Sequence, residues 1–142
     1  MNDCSFNIGG NPIENVTSYP HLGHVINSSF NDNDDIKHRR QQFIGQSNNV
    51  FCFFAKLDLC VKIKLFKAFC SSIYGCELWN LDSVIVQDFC STWRMAVRSL
   101  LGLPYNTHCY VLPLLINSLP VFYEILSDLL ALLSHACSRT LV

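Results

Sequence analysis

The stretch NDNDDIKHRRQQF, Asn31 to Phe43, crowds three carboxylates just ahead of three cations and a histidine. It is either a metal-binding acid pair or the start of a helix, and the two readings lead to different folds. A carboxylate pair that holds two Mg²⁺ ions needs a tight hairpin between apolar strands, with an apolar or aromatic residue shortly before it. Asp34-Asp35 is preceded instead by Asn31, Asp32 and Asn33. Such residues ahead of a periodic apolar run mark a helix N-terminus, where a side-chain oxygen takes up a first-turn amide and negative charge opposes the positive end of the helix dipole. The stretch is therefore read as a capped helix start, with Asp32 or Asp34 as the capping residue.

Downstream the spacing is helical. Ile36, Phe43, Ile44, Val50, Phe51, Phe54 and Leu57 recur at three-, four- and seven-residue intervals and define one face. Asp58 caps a second helix lined by Val61, Leu65, Phe66, Phe69, Cys70, Ile73 and Tyr74, with Lys64 and Lys67 on the opposite side and Lys62 turned into the apolar stripe. Asp82 or Ser83 opens a third, whose Ile85, Val86, Phe89, Cys90, Trp93, Ala96, Val97, Leu100 and Leu101 form the clearest amphipathic pattern, closed by Gly102 and Pro104. A short helix around His108 to Ile116 and a longer one from Pro120 to about Cys137 follow.

Upstream the pattern is extended. Ser5 to Ile8, the turn signal Gly9-Gly10-Asn11-Pro12 and Ile13 to Val16 suit a hairpin, and a third extended run covers Tyr19 to Ile26, with Gly23 marking a bulge or a close backbone approach. The fold class is mainly α: a helical bundle over residues 31–142, preceded by a short β-hairpin region over residues 1–30.

Half of the 142 residues are apolar and only 15% are charged, which fits one core with apolar surface left for a partner. From Ile36 to Lys67 seven cations, Lys37, Arg39, Arg40, Lys56, Lys62, Lys64 and Lys67, face one carboxylate, Asp58. The remaining ten acids stand against Arg94, Arg98 and Arg139. A basic centre between acidic ends is the asymmetry expected of a face that meets phosphate, though a solvated pair of helix faces carries such runs equally well. The eight cysteines form no CxxC pair, and with no secretory leader they read as reduced core residues of an intracellular, unsecreted chain. His21 and His24 lack a second close ligand pair, so no metal is expected. The oily run Cys109 to Leu133 contains Pro113, Pro120, Glu124 and Asp128 and is read as buried helices rather than a membrane span.

Several of these segments, taken in order, resemble one family. They are Ser18-Tyr19-Pro20-His21-Leu22-Gly23-His24-Val25-Ile26, the acids before Asp35-Ile36, and Val61-Lys62-Ile63-Lys64-Leu65-Phe66 with Phe69-Cys70. Tyr74-Gly75 to Leu78-Trp79, Trp93-Arg94 and Leu103-Pro104-Tyr105-Asn106-Thr107-His108 complete the set. Together they are similar to the reverse-transcriptase polyprotein of non-LTR (LINE-type, jockey-like) retrotransposons, in the part that follows the catalytic palm. The resemblance implies that the strands around Tyr19 to Gly23 correspond to the last palm hairpins and the helices to the thumb and the region after it. It also implies that Lys37, Arg39, Arg40, Lys62, Lys64 and Lys67, with Arg94 and Arg98 as lesser candidates, contact the backbone of an RNA:DNA template–primer duplex without reading its bases.

The apolar-x-Asp-Asp signature, the upstream palm aspartate, the fingers and an endonuclease domain are missing from the sequence. Mg²⁺ would belong to the missing palm, so no cofactor is expected and the chain is read as a catalytically inert fragment of an RNA-directed DNA polymerase. Expected partners are the duplex, bound weakly and without sequence preference, and a missing palm or a second copy against the apolar helix faces. The competing expectation is a small helical protein-interaction module without nucleic-acid binding. A cysteine nucleophile, Cys76 or Cys109 with His108, is disfavoured because His108 and Cys109 diverge by about 100° on a helix.

Overall fold

The computed structural model describes residues 6–140 except Ser72 and Tyr74, and it is mainly helical with two small strand pairs at its N-terminal end. The expectations placed on Ser5 and Tyr74 lie outside the described residues.

Two separate hairpins come first. β1 (Asn7–Ile8) pairs antiparallel with β2 (Asn11–Pro12), and Gly9 and Gly10 turn between them at φ 58 and 85. A bond from the Ile13 amide to the Phe6 carbonyl, 2.7 Å, extends the ladder by one step, but Ile13 to Val16 forms no further strand. The expected third extended run is itself a hairpin. β3 (Ser18–His21) and β4 (His24–Asn27) pair Tyr19 with Ile26 and His21 with His24. Leu22 and Gly23 turn between them at φ 49 and 84, the double left-handed geometry whose twist matches paired strands. Gly23 therefore serves a turn rather than a bulge within one strand.

α1 (Asn33–Phe53) buries Ile36, Phe43 and Val50, one residue every two turns, with Ser47 filling the stripe between the last two. Ile44 and Leu57, expected on that face, are exposed. α2 (Leu59–Cys70) starts where the Asp58 carboxylate accepts the Cys60 amide at 2.9 Å and buries Phe66 and Cys70, while Val61 and Phe69 remain exposed. After a single 3-10 turn at Cys76–Leu78, α3 (Val84–Leu101) is capped by Ser83, which accepts the Ile85 amide at 3.3 Å. It ends on Gly102 at φ 64, with the Leu103 amide bonded back to the Arg98 carbonyl at 2.9 Å. α4 (Val111–Ile116) and α5 (Val121–Thr140) close the chain.

α1 packs on α3 and α2 through a run of aromatic rings. Trp79 meets Phe89 at 5.6 Å between centroids, Phe89 meets Phe43 at 5.6 Å, and Phe43 meets Phe66 edge-on at 6.0 Å. Such contacts add about 0.5–1.5 kcal/mol each beyond the area they bury. α5 departs from the expectation of a buried helix. Val121 and Ile125 are buried, but every residue from Leu130 to Ser138 is exposed. Val121–Ser138 is long and apolar enough to cross a membrane by length and composition, with little of it inside the protein.

Candidate functional site

Two features stand out: a buried carboxylate that draws the N-terminal hairpin onto the helices, and a set of cations that the fold divides between internal and external duties.

Asp35 lies on the first turn of α1 at 4% exposure. Its Oδ1 accepts the Val25 amide at 2.9 Å, and its Oδ2 accepts the Trp79 indole N–H at 2.9 Å and lies 3.3 Å from His24 Nδ1. Burial alone pushes this carboxyl up, but the donors from Trp79, Val25 and His24 outweigh it and hold Asp35 below the usual carboxylate range. The His24 ring rests against the backbone of Gly75, which turns at φ +80; a Cβ there would sit 1.8 Å from His24 Cε1. The Arg39 guanidinium donates to the Gly23 carbonyl at 2.7 Å and fastens the same hairpin from one turn further along α1. Beside this node is a hollow of about 480 Å³ walled by Leu22, Ile26, Phe30, Leu78 and Trp79, with His24 and Asp35 within it.

The neighbouring acids face other partners. Asp32 occupies the N-cap position without a side-chain cap bond, and its Oδ2 accepts the Asn80 amide at 3.0 Å. Asp34 accepts from the Asn27 side chain at 3.0 Å and lies 3.9 Å from Lys37. The first-turn oxygen is supplied by Asn31, whose Oδ1 accepts the Asn33 amide at 3.2 Å. The expected capping role of Asp32 or Asp34 is thus replaced by tertiary bonding, because strand β4 and the 79–80 segment pack where water would otherwise solvate the acids. Asp34 and Asp35 point to different partners and do not converge on one point. Among the described residues no three His, Cys, Asp or Glu side chains are grouped to hold a metal ion.

The expected phosphate contacts fall into two sets. Arg40 donates from Nε to Thr92 at 2.7 Å, joining α1 to α3, and with Arg39 it is committed to the fold. Lys67 donates to the Asn117 carbonyl at the C-terminal end of α4. Arg98 grips the Thr107 carbonyl with Nε at 3.2 Å and Nη2 at 2.7 Å and lies over the Tyr105 ring, so it holds the 103–107 loop. Arg94 donates to Ser91 at 2.7 Å. Lys37 is exposed near the start of α1, about 24 Å along the axis from its far end. At that far end Lys56 in the α1–α2 turn and Lys64 on α2 are exposed and Lys62 is half-buried. Lys56, Lys62 and Lys64 make no recorded hydrogen bond or ion pair among the described residues, and they border the positive N-terminal end of α2. Lys56, outside the expected contact set, is exposed between α1 and α2; its position in a turn between two helices was the signal.

Cys76 is buried and its thiol is pushed up to about 12, first by burial and then by the carboxylates of Asp128 and Glu77. His108 stacks on Tyr110 at 5.2 Å. Comparison with protein-family models, curated proteins and solved structures finds no match to this chain.

Proposed function

We propose that the chain is a catalytically inert fragment of the RNA-directed DNA polymerase of a non-LTR retrotransposon, a thumb-like helical module that contacts a template–primer backbone. The observation that carries this reading is the convergence of the segments on which the resemblance rests. Gly23 and His24, Asp35, and Gly75 and Trp79 lie far apart in sequence yet meet within one node. The Leu103 to His108 segment is likewise held by Arg98 from the helix before it. A scattered set of residues that builds one structural unit is what a family-wide module requires.

The exposed Lys56 and Lys64, with the half-buried Lys62, support backbone contact, and the divergence of Asp34 from Asp35 supports the lack of a two-metal centre. The test is fluorescence anisotropy of a labelled RNA:DNA hybrid at about 50 and 200 mM salt. Binding is expected at the lower salt, with a log–log salt slope of about −2 to −3 for three lysine contacts and no preference among sequences. Lys62→Glu with Lys64→Glu should weaken it by about tenfold or more. Incorporation of nucleotides onto the primer with Mg²⁺ present would refute the inert reading.

The exposed apolar side of α5 favours a second reading, a helical protein-interaction module whose lysines only solvate the surface. A chain that binds no hybrid at low salt yet forms a defined oligomer would support it over the first.

A further inference from the structure

Along α5, Tyr123, Leu126, Leu130, Leu133 and Cys137 recur at alternating intervals of three and four residues, the 3.5-residue period of a coiled-coil seam. Tyr123, Leu130 and Leu133 are exposed at 57%, 58% and 51%, and Cys137 is exposed as well. The side of α5 turned to the protein is a different one. Val121 and Ile125 are buried, and Asp128, Ala131, Leu132 and His135 border Ile73, Gly75 and Glu77. At about 100° per residue, the centre of that set lies roughly 170° around the helix from the centre of the seam. The positions flanking the seam, Ser127, Leu129, Ser134 and Ala136, carry no charge and include three small side chains, which lets another helix approach closely.

We propose that a second copy of this chain covers the seam, the two α5 helices running antiparallel about a two-fold axis at Leu130. Reversal about Leu130 sets Tyr123 against Cys137 of the partner subunit and brings Leu126 to within one residue of the level of Leu133 of the partner subunit. The largest side chain of the seam then faces the smallest, and the gap between the helices stays even. Parallel pairing would stack Tyr on Tyr at one end and leave two Cys facing across the widened gap at the other. Reversal also opposes the two helix dipoles. The contact is self-complementary and closes at two copies. It rests on neither reading of the lysines, since the seam and those lysines lie on different elements.

Sedimentation equilibrium of the full chain over about 1 to 100 μM is expected to show a monomer–dimer equilibrium in reducing buffer. Leu130→Glu should raise the dissociation constant by roughly 100-fold, while helix content by circular dichroism stays unchanged because Leu130 makes no core contact. The orientation is read by mild oxidation of the Tyr123→Cys variant, mixing isotope-labelled and unlabelled chains and mapping linked peptides by mass spectrometry. Links between positions 123 and 137 of different chains are expected. A chain that is monomeric across the range overturns the proposal, as does exclusive linkage between two Cys137 residues. So does a monomer that sediments with phosphatidylcholine vesicles, which would assign the apolar face to a lipid surface.

Discussion

Asp35 shows how one side chain carries a fold-wide duty. Removing its carboxylate by Asp35→Ala leaves the Trp79 indole N–H and the Val25 amide buried without acceptors, and about 3 kcal/mol of stability should be lost. Urea denaturation would register this as a lower midpoint at unchanged slope. Because the folded-state pKa of Asp35 is depressed, its contribution is complete above the unfolded value of about 3.9 and drains away as pH falls through the lower folded value. Stability of the wild type should therefore drop more steeply below about pH 4 than that of Asp35→Asn, measured as the difference between their acid unfolding curves. Gly75→Ala should cost about 1–3 kcal/mol, since the new methyl must displace the His24 ring and hold a left-handed backbone. Leu22 is an exposed leucine at φ 49 in the turn before Gly23, where Asn is favoured, so Leu22→Asn should stabilise the hairpin by about 0.5–1 kcal/mol in the same assay. Cys70, Cys76 and Cys90 are buried with thiols pushed up chiefly by burial, and should resist iodoacetamide in the native state while Cys52, Cys60 and Cys109 react. Little of this was legible in the sequence. The acids before Ile36 resembled caps because a cap and a tertiary acceptor use the same residue types, and only the arrival of Val25 and Trp79 separates them.

At the scale of elements the sequence was more informative, because helix ends are decided locally. Asp58, Ser83 and Gly102 act as the start and stop signals they spell out, and each bond involved lies within a few residues of its donor. Asp58→Ala should accordingly lower stability by about 1 kcal/mol through the lost Cys60 amide acceptor, visible as a reduced thermal midpoint. The period of α3 predicted its buried face, apart from Thr92, whose burial follows from its bond to Arg40 on another helix. The division of Tyr19 to Ile26 into two strands was missed, since a Leu-Gly pair spells a two-residue turn less openly than Asn-Gly does. α2 kept its cap and lost part of its stripe: the exposure of Val61 and Phe69 depends on which side α1 and α3 occupy, which no local pattern records.

For the whole molecule, charge and apolar surface are distributed in ways that composition only hints at. Three of the six main basic candidates, Arg39, Arg40 and Lys67, are drawn into bonds between elements, so the cationic run of the sequence overstates the positive surface. The oily C-terminal run was visible at once, but whether it is covered depends on how far the 3-10 turn at Cys76–Leu78 reaches along α5. The link between hairpin and helices also bears on any attempt to trim the chain. Two-stranded ribbons of four residues do not persist alone in water, so β3 and β4 hold their form by leaning on α1. The dependence is mutual, because a version begun at residue 31 would keep the Asp35 anion in its recess with two of its three donors gone. Shortening there would unsettle the very bundle it was meant to isolate.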